Sequence, residues 1–257
     1  MSLVHDRCIC LRKVEYSETS QILALLSRDH GLLRVIAKGA HRVTKAGASK
    51  FGGGIDLLDV GDAVFTHSPE KELATLCEWT LREGHLGLRR NLRGIYLGLY
   101  AAELVATLIE EHDAHPELFE RLEETLDELQ TARVEETFIS FELDLLRQTG
   151  YLPQLDACSA CGAALDQNSR AFFSPASSGA ICRNCEGATP DRLEVDPRIL
   201  QIAQTLLRLS RGNGSSARLP MLTRRQSDPI NLMLAEHVEH TLSKRLRMRG
   251  YVLDSRR

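Results

Sequence analysis

Apolar and polar positions alternate with a period of two from Leu3 to about Val14, where Val4, Cys8, Ile9, Cys10 and Leu11 supply the apolar side. That spacing predicts a β-strand, because successive side chains on an extended chain point to opposite faces. A second apolar run covers Gln21 to Ser27 and a third covers Leu32 to Ala37, separated by Arg28-Asp29-His30-Gly31. Two such runs around a turn ending in glycine read as a β-hairpin. Alternation resumes from Ile55 to His67, with Gly61-Asp62 as a kink or turn, and again from Glu72 to Leu81, which carries the single tryptophan, Trp79. Five short strands in about eighty residues predict a small Greek-key barrel of OB-fold type, although an SH3-like barrel would read similarly.

After Gly87 the apolar period lengthens to that of a helix. Asn91 is placed to cap a helix with Ile95, Leu99, Ala102 and Ala106 on one face and Tyr96, Leu97, Leu104 and Leu108 widening it. His115-Pro116 begins the next, with Leu118, Leu122, Leu126 and Leu129 as its stripe. A third runs from Glu135 to Gln148, turns Phe138, Phe141, Leu145 and Leu146 inward, and ends at Gly150. Helical text returns over Pro197 to Arg211, is broken by Gly212-Asn213-Gly214-Ser215-Ser216, and resumes from about Pro229 to Arg249, with Leu232, Leu234, Val238 and Leu242 inward. The expected architecture is α+β and multidomain: an OB-fold nucleic-acid-binding barrel over residues 1–82, then an all-helical domain over residues 83–257, interrupted at residues 156–190.

The interruption carries the sharpest chemical signal. Cys158-Ser-Ala-Cys161 and Cys182-Arg-Asn-Cys185 are two Cys-x-x-Cys knuckles twenty residues apart. Two thiolates from each tight turn complete the tetrahedron that zinc prefers, so the four cysteines are the expected ligands of one structural Zn²⁺. Four protein ligands leave no position for an activated water; such a site holds a loop together and does not catalyse. Between the knuckles, Arg170-Ala-Phe-Phe173 followed by Ser174-Pro-Ala-Ser-Ser-Gly179 reads as a short strand and return, the content of a zinc ribbon. Cys8 and Cys10 share one face of the first strand, but without nearby partners they read as small buried residues.

Composition bounds the rest. Among 257 residues, 43% are hydrophobic and 26% charged, an ordinary balance for a globular protein. No signal peptide begins the chain and no apolar run reaches membrane-spanning length, so a cytoplasmic, reducing location is expected, with no membrane partner. The net charge of −3 hides a division: residues 81–150 hold 7 basic against 15 acidic side chains, and residues 151–257 hold 15 against 10. No phosphate-cradling loop, nucleophile elbow or zinc-protease helix is present, and Gly52-Gly53-Gly54 lies between loop and strand; no catalytic set and no small-molecule substrate are expected. Glu236, His237, Glu239 and His240 stand at metal-patch spacing but alternate with apolar residues, which favours a solvated helix face. Arg34, Lys38, Arg42, Lys45 and Lys50 cluster within seventeen residues around a hairpin end. On an OB-type barrel that position suits DNA backbone, bound with weak sequence preference and strong salt dependence, although a solvated loop has the same composition.

These features have an order. Lys38-Gly39-Ala40 follows the third strand; then come His115-Pro-Glu-Leu-Phe119, Phe141-Glu-Leu-Asp-Leu-Leu-Arg147, Gly150-Tyr-Leu-Pro153 and the two knuckles. Together they closely resemble the bacterial RecO family of DNA repair and recombination proteins over nearly the whole chain. The resemblance implies an OB-fold followed by a helical domain with an inserted zinc ribbon, and work without catalysis in the RecF pathway. It also implies binding of single- and double-stranded DNA, annealing of complementary strands, partnership with RecR and the tail of the single-strand-binding protein (SSB), and help to RecA in replacing SSB, at the nucleoid during repair. Lys38 and Arg42 match the family's basic positions, and Cys158, Cys161, Cys182 and Cys185 its metal ligands. The chain departs from the family at His41, where many relatives show another arginine, and at Ser178-Gly179-Ala180, where a double glycine is common. The basic segment Lys244-Arg-Leu-Arg-Met-Arg249 and the ends Arg256 and Arg257 are expected to assist in holding DNA. The competing reading is a zinc-ribbon transcription factor that binds duplex DNA or RNA polymerase.

Overall fold

A computed structural model describes residues 2–40, 51, 54–67, 73–166, 169–210 and 221–253. The chain divides into two compact units, Met1–Thr131 and Ala132–Arg257.

The first unit is built on five strands: β1 (Ser2–Ser17), β2 (Ser20–Ser27), β3 (Gly31–Lys38), β4 (Val60–His67) and β5 (Ala74–Glu83). They close into a barrel of order β1-β2-β3-β5-β4, in which β1 also pairs antiparallel with β4. Closure is completed by a short parallel pairing of Val35–Ala37 with Ala74–Leu76. This is the OB-type order. The alternating residues do what their period requires: Cys8, Cys10, Leu23, Leu25, Leu33 and Val35 point inward and pack with Phe65 and Trp79. Gly61 lies inside β4, at a local irregularity of the β4–β5 ladder, because a Cβ there would stand 2.5 Å from the Trp79 ring. The unpaired part of β3 is covered by a connection: His112 N–H donates to Leu32 O at 3.0 Å.

Ile55 does not open the fourth strand as the alternation suggests. Residues 54–59 form a loop in which Ile55 and Leu58 are buried, Leu58 with φ of 69°. Burial produced the apolar pattern there, without extended backbone. In the same unit α1 (Leu92–Leu108) begins at Asn91, whose side chain accepts from Gly94 N–H at 3.1 Å, and α2 (Pro116–Glu128) begins at Pro116. The buried face of α1 matches the expected one in part: Leu97, Ala102, Leu104 and Leu108 are buried as expected, together with Ala101 and Val105, while Ile95, Leu99 and Ala106 are only partly buried. Gly94 and Gly98 lie on the buried face and let Leu129 O, Leu58 and Leu126 approach, so glycines, not only large residues, mark the inner side.

The second unit contains α3 (Val134–Gln148), β6 (Ala171–Ser174), β7 (Gly179–Cys182), β8 (Leu193–Val195), α4 (Pro197–Ser210), α5 (Arg224–Leu242) and α6 (Arg249–Leu253). Every residue of α3 from Val134 to Leu146 is buried, including Glu135, Glu136, Glu142 and Asp144. Gly150, at φ 79°, ends it, and Tyr151 N–H returns to Leu146 O at 2.8 Å. Leu222 N–H donates to Glu136 Oε2 at 3.2 Å, and the His237 ring meets Tyr151 O at 2.8 Å, so α3 and α5 run in the same direction.

The last long helix differs from its sequence reading at both ends. Thr223 and Gln226 close a capping box, so the helix starts at Arg224 with Pro229 inside it, and Ser243 at φ 50° stops it after Leu242. Pro229 stands in the second turn, where its missing N–H costs the ladder bond to Arg225 O. Leu232 is exposed and Leu242 partly so; Ile230, Met233, Leu234 and Val238 form the inner face. The expected break at residues 212–216 lies outside the described residues. Among the described residues no helix is long and apolar enough to cross a membrane.

Candidate functional site

The two knuckles come together. One ligand atom from each of Cys158, Cys161, Cys182 and Cys185 can be chosen so that all lie within 4.8 Å of one another, and Cys161 Sγ stands 3.8 Å from Cys182 Sγ. Zinc–sulfur bonds of about 2.3 Å in a tetrahedron place sulfurs about 3.8 Å apart, so the four thiols fit such an ion. The first knuckle turns through Gly162 at φ 73°, with Gly162 N–H on Cys158 O at 2.8 Å. The second knuckle begins at the end of β7, where Ala171 pairs with Cys182. A third strand, β8, which the sequence reading missed, flanks β6 through Phe172 and Glu194. Three residues are too short for periodicity to reveal, even between the turn signals Pro190-Asp191 and Asp196-Pro197.

The electrostatics of the four thiols are unequal. Burial would raise the pKa of Cys158, but N–H groups of Cys182, Cys161 and Ala160 point at its sulfur and hold it down to about 6. Cys185 is pushed up to about 12, chiefly by its hydrogen bonds with Cys161 and Cys182, which favour its protonated thiol. Backbone donors around one thiolate and protons shared among the others are the environment a cation would replace. Phe172 and Ile181 pack against Cys158 and close the site from within. Ser174 Oγ donates to Asp191 at 2.9 Å and Ala176 N–H donates to the same carboxylate at 3.0 Å, which ties the turn between β6 and β7 to the chain after the second knuckle.

Of the expected DNA-binding residues, the structure places Arg34 and Lys38. Both are exposed on the outward side of β3, where Val35 and Ala37 alternate inward. Arg34 pairs loosely with Glu111 at 3.9 Å. Arg42, Lys45 and Lys50, with His41, Thr44 and Ser49, lie outside the described residues, as do Arg256 and Arg257. At the other end of the chain, Arg249 is held between Glu236 and Glu239, which also accepts Leu246 N–H at 2.7 Å. Its charge is therefore engaged within the protein.

That pairing also revises the helix face at residues 236–240. Glu236 and Glu239 bind Arg249, while His237 is buried, held by Tyr151 O and set edge-on to Phe173 at 6.0 Å between ring centres. Burial lowers the His237 pKa. Cys8 and Cys10 are fully buried in the barrel core, where burial raises both thiols, Cys10 to about 12. They are protonated core residues. The cysteine quartet is the metal-ligand cluster among the described residues.

Comparison with known proteins agrees with this architecture. Residues 1–85 match the family model for the Recombination protein O N terminal, and residues 89–247 match that for the Recombination protein O C terminal. The DNA repair protein RecO of an Anaeromyxobacter species is 33% identical over 248 residues, which cover 95% of this chain and 93% of the relative. The RecO of Myxococcus xanthus is 29% identical over 245 residues, or 94% and 95% of the two chains. That of Caldanaerobacter subterraneus is 23% identical over 255 residues, 98% of each. With both family models matched in order and relatives aligned along nearly their full length, the chain belongs to the RecO family of DNA repair proteins.

Proposed function

We propose that this chain is a cytoplasmic, non-catalytic recombination mediator that binds single- and double-stranded DNA, anneals complementary strands and, with RecR, helps RecA replace SSB. The observation that carries this reading is the match to both halves of the family along the whole chain. The outward basic positions of β3 support it. In this reading Arg34, Lys38, Arg42, Lys45 and Lys50 contact phosphate, and the cysteine quartet holds one structural Zn²⁺. Zinc there supplies fold stability and, with four sulfur ligands, no reactive position.

The mechanism follows from charge. Two complementary strands repel along their phosphates, and a protein that neutralises both lowers that barrier while leaving the base edges free to pair. No bond to carbon or phosphorus forms or breaks, so no general acid, base or nucleophile is required.

The test uses fluorescent single strands, a mixed-sequence duplex and two complementary strands, the last with and without SSB. Annealing faster than in buffer, and sequence-tolerant binding that weakens steeply with salt, are expected. Sequence-specific duplex binding without annealing would instead indicate a transcription factor.

A further inference from the structure

The barrel unit holds a cleft of about 480 Å³ that the basic positions of β3 do not occupy. Ala40, two residues beyond Lys38, lines it, so the cleft continues the proposed DNA path. Its opposite side is formed at the end of β5 and in the turn that follows, by Leu81, Gly84 and Leu86.

Gly84 is the informative residue. It is not among the positive-φ glycines. A Cβ there would meet Asp59 Oδ1, Leu81 Cδ2 and Leu86 Cδ2 at 3.5, 3.8 and 3.9 Å, which is ordinary contact. Neither backbone conformation nor packing demands a glycine, and what the missing side chain does is leave the cleft open. Leu81 and Leu86 stand beside it, 46% and 63% exposed, as apolar walls in contact with water. Asp59, only 6% exposed, accepts Asp56 N–H through Oδ2 at 2.7 Å and turns Oδ1 toward the glycine.

The charges of the lining balance: Lys13, Arg82 and Arg89 against Asp56, Asp59 and Glu83. All three cations are already paired, Lys13 and Arg89 with Asp56 at 3.1 and 3.0 Å and Arg82 with Asp62 at 2.7 Å. A balanced lining gives phosphate little reason to enter. Asp56 is held by Lys13 and Arg89, and Glu83 accepts His85 N–H at 2.8 Å, so apolar walls around the remaining carboxyl group, Asp59, suit a neutral, flat molecule with apolar faces and a hydrogen-bonding edge. We propose that the cleft receives an unpaired nucleobase of a DNA single strand, with Leu81 and Leu86 against its faces and Asp59 on its polar edge. The proposal rests on the DNA-binding reading above and extends it to strand selectivity. A base inside a duplex is stacked and paired, so only single strands can use the cleft without an unpairing cost.

The experiment titrates the full-length protein against a single strand carrying 2-aminopurine and against a mixed-sequence duplex. The wild type is expected to bind both, and to change 2-aminopurine emission. Gly84→Phe fills the cleft; the exposed pair Leu81→Ala with Leu86→Ala removes its walls without touching the core, and decides the matter if the first variant does not fold. Each is expected to weaken single-strand binding by about fivefold or more, the scale of one stacked base, with duplex binding within about twofold of wild type. Unchanged single-strand affinity in both variants overturns the base cleft, and so do equal losses on single strand and duplex. A wild type that binds neither DNA overturns the DNA-binding reading itself.

Discussion

Glu142 sits in the middle of α3, and among the described residues neither of its carboxylate oxygens has a hydrogen-bond partner. Burial alone pushes its pKa up to about 8. A charge in that position would be costly, and the group stays protonated instead. An unfolded glutamic acid loses its proton near pH 4.5. Between that value and about 8 the folded state holds a proton that the unfolded state lacks, so this residue's contribution to stability falls as pH rises through the window. Glu142→Gln removes the titration. The variant is expected to lose a slope of up to about 1.4 kcal/mol per pH unit from the dependence of unfolding free energy on pH, and to melt above wild type at pH 8. Urea unfolding at pH 5, 6.5 and 8 measures it; parallel pH dependences in the two proteins would refute it. The sequence showed a helix with four acidic residues and an apolar stripe. That the helix is buried on all sides, and takes its acids inside, depends on neighbours that no local pattern specifies.

At the scale of elements, ends were more readable than interiors. Asn91 and Gly150 bound their helices as their chemistry predicts, one by its side-chain acceptor and the other by left-handed backbone. Asn91→Ala is expected to cost about 1 kcal/mol, read as a lower melting temperature of a few degrees. Pro229 misled, because a proline in the first turns of a helix resembles a proline at its start, and the Thr223–Gln226 box lies upstream of it. The ribbon is the element with least core of its own. Its strands are three or four residues long, and its small cluster is Cys158, Phe172 and Ile181 with partly buried neighbours. Cys182→Ser is therefore expected to lower bound zinc below one ion per chain and melting by roughly 5–10 °C. DNA contacts of the barrel should survive at temperatures where the variant is folded. Full zinc occupancy with unchanged melting would contradict the ligand assignment.

At the scale of the whole molecule, the proposed DNA binding depends on the charge distribution and not on the net charge. Lys38 stands on the exposed side of β3, and Arg42 follows in the same basic stretch. Lys38→Glu combined with Arg42→Glu is expected to weaken single-strand and duplex binding by about tenfold or more near physiological salt. The slope of log affinity against log salt should shrink by roughly two. Retained affinity and slope would move the backbone site elsewhere. This double variant and the cleft variants are separable, since phosphate contacts act on both kinds of DNA and a base cleft on single strands alone.

The five barrel strands, most helices, the cysteine quartet and the order of family motifs were determined by the sequence itself, because each rests on local chemistry. A period of two or of 3.6 needs only neighbours along the chain, and four thiols in two knuckles need only short turns. Tertiary structure decided what local chemistry cannot express. It closed β3 on β5 in parallel, placed Gly94 and Gly98 on the buried face of α1, took His237 inside and engaged Arg249 between two glutamates. It also showed that Gly84 has no conformational duty, and so opens a cleft. In each case the deciding contact joins residues distant in sequence or separate elements. Their free energy depends on shape and desolvation at the meeting surface, which residue spacing does not encode.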